Sequence, residues 1–587
     1  MPQPSTRRTA QRRRHWQEYS DDSFPCNDLI EVAFHETLQP SEILHQVRRN
    51  LSLISALDVH YDPARPVPEE ELEELAVTLG ASSACIHGIK RLVDADPKTI
   101  KPRILNQVID LWPRLLPWIM LFFNQVVLRR PELLAETSDE DMLLTFSRTG
   151  ACSGLVLSSF MLDLPSILHN SQDIISCVAQ VWIVSSEYRL PFLSKLMPLF
   201  FARNGTLTKI LVQTVKQEIP VARLTSVLSR LIRNIDCMGI AWDIMKGDMV
   251  IMQVFSEDPS LGLSFRLAKS TPWMCYILCR LFEGPVQNIE DEDDDRIIVA
   301  TKCLYCIHLA LSRGPLWTVQ ALKHTHLLRS LLKCTLTNPS TELSKGLSQV
   351  LHDITINLVW RTILRQVWKS LNKMDISVID SPDFPSKLAK SWATLLDVTN
   401  HRWETRAKLH GDFKPNLCMN VECEAVDETG NMEAKLYRCS GCGLTFCSSS
   451  CQNAAGDTHW ITCRQERIRR KNGYPEDVMR RDEPFLHCIL LIDLQHEEEL
   501  IEKETRDFYA KLSSDDKVLA VTCMDYRFAP MKVSVGHGKK YEASVNPAEW
   551  KREVERAKQS KKKGRLVLSI FPYGLTRKTS IEWIPLW

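Results

Sequence analysis

No apolar run in this 587-residue chain reaches the roughly 20 residues that a membrane-spanning helix needs. The nearest, Leu115–Leu128 (LLPWIMLFFNQVVL), is too short, carries Pro117 and Asn124, and ends against Arg129 and Arg130. It reads as a buried core helix. A secretory h-region is missing too: the opening MPQPSTRRTAQRRRHWQEYSDD is Arg-rich, with no acid before Glu18. Residues 1–24 therefore read as a disordered, solvated basic tail. The alternative is a nuclear or organellar address on Arg7, Arg8, Arg12, Arg13 and Arg14. These absences predict a soluble intracellular chain, cytoplasmic or nuclear. Its 19 cysteines are then thiols or metal ligands, not disulfides.

A strong excess of one charge is also lacking. The formal net charge is +1, with 25% charged and 44% hydrophobic residues. Coating nucleic acid leaves a basic footprint on the whole chain, so nucleic acid is not expected as the main partner. Enzyme signatures are scarce. There is no G-x-x-x-x-G-K-[ST] loop, no G-x-S-x-G elbow and no H-E-x-x-H helix. GHGKKY (Gly536–Tyr541) starts like a dinucleotide loop, lacks its third glycine, and reads as a hairpin turn. No catalytic residue is predicted.

What is present is helical period. In PVARLTSVLSRLIRNID, Val221, Leu224, Leu228, Leu231 and Ile235 share a face opposite Arg223, Arg230 and Arg233. TELSKGLSQVLHDITINL repeats the pattern through Leu343, Leu347, Val350, Leu351, Ile354 and Leu358. SKLAKSWATLL does so through Leu388, Trp392, Leu395 and Leu396, with Ser386 as its N-cap. Residues 25–410 are thus expected to form one large α-helical domain. An armadillo- or HEAT-like solenoid and an irregular helical domain both satisfy this, because no repeat of fixed period is found.

Composition then changes over 411–465, where Cys, Gly and Ser replace the apolar stripe. A basic linker is expected over 466–484, and an α+β domain over 485–587. That domain would have strands at Lys517–Cys523, Arg565–Phe571 and the C-terminal SIEWIPLW, and a basic helix at Pro547–Lys563. The helix reads as a solvated face interrupted by Glu553 and Glu555. The expected class is mainly α, with a small metal-folded segment and a small α+β domain at the C-terminus.

The metal expectation rests on spacing. Cys418-x4-Cys423-x15-Cys439-x2-Cys442-x4-Cys447-x3-Cys451-x7-His459-x3-Cys463 supplies seven thiols and one imidazole. That is enough for two tetrahedral Zn²⁺ ions per chain with closed, structural coordination spheres. Few large apolar residues lie among them, so metal would supply on the order of 10 kcal/mol per ion toward folding. Gly441 and Gly443 flank Cys442, where a tight knuckle calls for φ > 0.

At these residues the chain resembles the MYND-type zinc finger. The last six ligands match the C-x2-C-x4-C-x3-C-x7-H-x3-C pattern, with RCSGC, Phe446, Ser448 and Gln452 in keeping. The resemblance covers about 50 of 587 residues. It implies interleaved sites, Cys418, Cys423, Cys447 and Cys451 for one zinc and Cys439, Cys442, His459 and Cys463 for the other. It also implies a surface for short proline-containing peptides at Phe446, Gln452 and Trp460. Two positions depart from the family. The first ligand pair is spaced x4 instead of x2, and Gly456 stands where the family carries Trp, with Trp460 following the histidine instead.

Other clusters read as structure. Cys303, Cys306 and His308 sit in the apolar KCLYCIHLALS, as Cys275 and Cys279 do in WMCYILC. These are packed thiols. EDEDDD (Glu290–Asp295) lacks the EF-hand pattern and reads as a solvated loop whose acids favour the helix start that follows. The functional expectation is a zinc-binding scaffold that recruits other proteins, with Pro-rich peptides among its ligands. The alternative is a MYND-containing protein methyltransferase, although no SET-like Asn-His-Ser or Gly-x-Gly element is found. A RING-type ligase is disfavoured, since histidine is the seventh of eight ligands.

Overall fold

Leucine, isoleucine and valine at helical spacing build most of the molecule. The computed structural model describes residues 39–56, 76–94, 102–135, 142–168, 171–188, 190, 193, 196–197, 199–202, 205–219, 223, 242–282, 290–323, 325–337, 339–382, 384–409, 418, 420, 437–442, 444–472, 474, 479–511, 519–560, 563–574 and 576–585. The basic tail, the helix expected from Pro220 (but for Arg223), Cys423 and Gly443 lie outside the described residues. The protein is mainly helical, with a small four-stranded mixed sheet near the C-terminus. No helix among the described residues is long and apolar enough to cross a membrane.

Contacts divide the chain into two compact units, Met1–Phe255 and Ser256–Trp587. The division falls inside the region read as one helical domain. The longer helices of the first unit are α1 (Pro40–Ala56), α2 (Ala76–Asp94), α3 (Pro102–Leu121), α4 (Met142–Met161), α5 (Gln172–Glu187), α6 (Gly205–Glu218) and most of α7 (Trp242–Glu257). The segment expected as a single buried helix is α3 running into a π-helical turn, Phe122–Val127. Pro113 and Pro117 lie inside α3, each removing a backbone donor and crowding the preceding turn. The wide turn that follows buries Phe122, Phe123, Val126 and Val127 together. Phe122 is seated because Gly150 of α4 has no Cβ to meet its ring.

In the second unit α8 (Pro259–Leu267), α9 (Ser270–Leu281), α10 (Glu290–Leu311), α11 (Pro315–Leu322), α12 (Leu327–Leu336) and α13 (Thr341–Ile356) pack in succession, and α14 (Arg361–Leu371) packs on α11 and α15 (Ser386–Leu409). Asp258 caps α8, accepting from Ser260 N at 3.0 Å and Leu261 N at 2.9 Å, and Ser340 caps α13 through Leu343 N. The apolar stripe of α13 is buried, as are Leu388, Trp392 and Leu395 of α15. The Trp392 indole N–H donates to Thr335 Oγ1 at 3.2 Å, which satisfies its one polar atom in the core. The acidic run is a correction: Glu290–Asp295 is already the start of α10 and not a loop before it. Its acids still lie at the positive end of the helix dipole.

The finger contributes β1 (Tyr437–Arg438), β2 (Thr445–Phe446), α16 (Ser449–Ala454) and α17 (Gly456–Lys471). After it come α18 (Met479–His496), α19 (Glu498–Ala510), β3 (Ala520–Asp525), β4 (Lys532–His537), α20 (Gly538–Glu542), α21 (Pro547–Gln559), β5 (Gly564–Tyr573) and β6 (Thr576–Pro585). The expected 466–484 linker is therefore helical at both ends, within α17 and α18. Its alternating Arg and Glu can pair along a helix, and Glu466 does so with Arg469 at 3.3 Å and Arg470 at 3.6 Å. The hairpin expected at Gly536–Tyr541 is instead the end of β4 and the start of α20.

Strand order is β4-β3-β5-β6, with β3 and β5 parallel and the outer pairs antiparallel. A parallel pair needs a crossover, which β4, α20 and α21 supply. One face of the sheet, with Val521, Leu566, Leu568 and Ile570, packs on Tyr541, Val545 and Trp550. On β5 and its neighbours the helical layer is close by. Tyr526 stacks on Phe571 at 4.7 Å, Arg402 lies over Tyr526, and Trp360 Nε1 donates to the Pro572 carbonyl at 3.1 Å. Strand β5 is buried over most of its length, as a strand covered on both faces must be.

Candidate metal centre

A two-stranded ribbon and two helices carry the described candidate ligands except Cys418, which lies before them in the chain. Strand β1 pairs with β2, Tyr437 opposite Phe446 and Arg438 opposite Thr445. The knuckle Cys439–Cys442 is closed by the Cys439 N–H donating to the Leu444 carbonyl at 2.8 Å. Cys447 follows β2 directly. Ser448 caps α16, its hydroxyl accepting from Cys451 N at 3.1 Å, and the first turn of α16 brings Cys451 back toward Cys447. Helix α17 presents His459 and Cys463 one turn apart on the same face.

Two groups of donor atoms converge, each within 4.8 Å: Cys439, Cys442, His459 and Cys463, and Cys418, Cys447 and Cys451. His459 Nε2 lies 3.3 Å from Cys439 Sγ. The Sγ atoms of Cys447 and Cys451 are also 3.3 Å apart, well beyond the length of a disulfide bond. Four sulfurs about 2.3 Å from one Zn²⁺ would be mutually about 3.8 Å apart, so these two thiols lie near the spacing that shared ligation requires. The donor set fits zinc: thiolate and imidazole, four to one group, with no carboxylate among the described donors. Cys418, Cys447 and Cys451 supply three donors, and the fourth ligand expected there, Cys423, is outside the described residues.

Glycine at 441 has a different cause from the one expected. Gly441 does not adopt a positive φ. A Cβ at this position would instead run into Cys463 Sγ, so the residue is small to admit a ligand from α17. Positive φ occurs at Gly456, +45°, where the chain turns from α16 into α17. A Trp there would be strained, since left-handed backbone favours glycine.

The thiols of the knuckle ionise unequally. Burial pushes Cys439 up, but the amides of Cys442 and Gly441 and the His459 ring outweigh it and bring Cys439 down to about 6. Burial and the neighbouring Cys439 push Cys442 up to about 11. The two thiols thus differ in how readily they lose a proton, and both must lose it to ligate a metal.

Phe446 requires correction as a peptide contact. It is 1% exposed, stands edge-on to His459 at 5.1 Å, and packs with Cys418, Cys442 and Leu444 as the core of the finger. Gln452 is partly buried on α16, and Trp460 is 69% exposed on α17. Supporting residues that spacing did not reveal are Asn420, whose Nδ2 lies 3.5 Å from Cys451 Sγ, and Arg470, whose guanidinium reaches the Ser440 carbonyl at 3.3 Å. Asn420 sits inside the x4 gap of the first ligand pair.

The rejected clusters are core. Cys303 and Cys275 are fully buried and Cys306 nearly so. Burial raises the Cys303 thiol well above its ordinary value and pushes Cys275 and Cys306 to about 12. His308 points to Asp353, Nδ1 to Oδ2 2.6 Å. No family model matches the chain, and neither does any curated protein or solved structure.

Proposed function

We propose that this protein is a zinc-binding scaffold whose MYND-type finger, braced by two zinc ions, recruits partner proteins through proline-containing segments. The observation that supports it most directly is the sorting of donors: the seven described candidate ligands fall into two interleaved groups in keeping with the MYND-type pattern. Zinc bound there would be structural. The Cys and His side chains would hold it, and it would fix the β1–β2 ribbon against α17 while supplying folding free energy.

Recruitment is supported by what the finger leaves on its outside. Trp460, Ile461 and Ile468 of α17 are exposed, as is Tyr437 of β1, in a segment that buries few apolar residues of its own. Proline-rich segments dock on exposed aromatic rings because their extended form is already ordered. Peptide-array binding by the full chain, with Trp460→Ala and Gln452→Ala as controls, tests this. Proline-containing peptides should bind the wild type and lose affinity with Trp460→Ala at unchanged zinc content. Equal binding by wild type and Trp460→Ala would refute it.

A further inference from the structure

Helices α13 and α15 pack through their apolar stripes, but along one side they also face each other with a second, polar stripe. On α13 it runs Lys345, Ser348, Gln349, His352, and on α15 Lys387, Lys390, Ser391, Thr394; each set has the i, i+3, i+4, i+7 spacing of one helix face. Between them lies a groove of about 600 Å³, closed at one side by Ala529. The hydroxyls of Ser348 and Ser391 meet at 2.8 Å across it.

The composition of the lining is one-sided. It includes three lysines, a histidine and several hydroxyls, and it contains no carboxylate and no Phe, Tyr or Trp. Among the described residues none of Lys345, Lys387 and Lys390 takes part in an ion pair. Asp353, beside His352 in sequence, turns inward to His308, while Glu342 stands one turn before Lys345 on α13 and forms no ion pair with it. Three ammonium groups that line one concavity, none of them in an ion pair, favour a positive potential there. Lysine ammoniums and hydroxyls are the donors that phosphate oxygens accept from. With no Phe, Tyr or Trp in the lining for a nucleobase to stack on, the groove suits a ligand recognised by its charge.

We propose that the α13–α15 groove binds a small anion carrying several phosphate groups, with Lys345, Lys387 and Lys390 as its charge contacts and Ser348 and Ser391 at its centre. The volume is that of a small-molecule site. This inference is independent of the zinc finger and would stand if the recruitment reading fell.

Isothermal titration of the full chain with inorganic tripolyphosphate and, separately, with inositol hexakisphosphate at about 0.15 M salt tests it. At least one should bind saturably at one site, and the tighter of the two tells whether the phosphates are carried on a chain or a ring. Lys387→Gln with Lys390→Gln should weaken binding at least about tenfold, since each removes a charge-assisted contact. Replacing both with Arg should restore most of it. Lys551→Gln with Lys558→Gln, on the basic helix α21, should leave it unchanged. These surface side chains bury no core, and far-UV circular dichroism would verify that each variant is folded. No saturable binding by either anion, or equal affinity in the Lys387→Gln, Lys390→Gln variant, would overturn the proposal. So would tighter binding of a phosphoserine peptide at the same lysines, which would make the occupant a protein segment.

Discussion

Gly441 shows how a single missing side chain sets the geometry of the finger. Its Cα faces Cys463 Sγ so closely that any Cβ would displace the thiol, and Cys463 is one of four donors in its group. Gly441→Ala should therefore lower zinc affinity at that site while sparing the Cys418, Cys447 and Cys451 group. A competition titration with a chromogenic chelator should show one of two zinc ions released early; release of both together, or of neither, would count against this view of Gly441. Cys303→Ala gives the opposite expectation. Its thiol is buried among apolar side chains, so metal content should not change, while the small cavity left should cost about 1 kcal/mol. Ligand residues were legible in the sequence because zinc accepts few donor types and short arms fix their spacing. Asn420 and Arg470 were not, since any polar residue could have occupied those positions and only the folded backbone turns them toward Cys451 and Ser440.

Elements in the second unit are joined by buried charges contributed from distant parts of the chain. Asp493 of α18 receives Arg402 of α15 at 2.7 Å and His401 at 3.0 Å. Arg402 and Asp493 are only 8% and 4% exposed. Asp493→Ala would strand the guanidinium in the interior, which typically costs about 3–5 kcal/mol, and urea denaturation should show a loss of that size. A change under about 1 kcal/mol, the range of an exposed pair, would mean the pair is solvated. Asp482 similarly accepts from Thr362 N at 2.7 Å and caps α14 from α18. These partners are 91 and 120 residues apart, beyond what local pattern reading detects. By contrast the stripes of α13 and α15 were readable, because burial of Leu347, Leu351, Leu388 and Trp392 repeats at the helical period. Strand β4 went unread for a related reason: half-exposed KVSVGH has too few apolar residues to announce itself.

A third tie between elements depends on pH. His487 of α18 lies 2.8 Å from Glu582 of β6. Burial pushes the imidazole down, but the carboxylate outweighs it and raises His487 above its ordinary value. Burial pushes Glu582 up, and the histidine outweighs that and holds it below the usual carboxylate range. Stability from Glu582 is present above about pH 4.3 and fades as pH falls through its lowered folded value. Stability from His487 is complete below about pH 6.5 and fades as pH rises through its raised folded value. The difference in melting temperature between wild type and His487→Gln should therefore be widest between about pH 5 and 6.5 and narrow on both sides. A constant difference from acid to alkaline pH would contradict it.

At the scale of the whole molecule, apolar packing holds most of the described structure, while the finger's core is built largely of candidate metal ligands. The helices of both units bury continuous stripes of Leu, Ile, Val and Trp, whereas the finger's own core amounts to Leu444, Phe446 and the ligands themselves. Removing metal should therefore unfold a small part of the chain. Far-UV circular dichroism with excess chelator should retain most of the helical signal, and a collapse of that signal would place zinc at the centre of the fold. The central claim is that eight ligands hold two ions. Native mass spectrometry of the purified full chain measures it directly, and the mass should exceed that of the apo protein by two zinc ions. A mass corresponding to one ion or none would contradict the two-zinc finger, and with it the reading of Cys423 as the fourth ligand beside Cys418, Cys447 and Cys451.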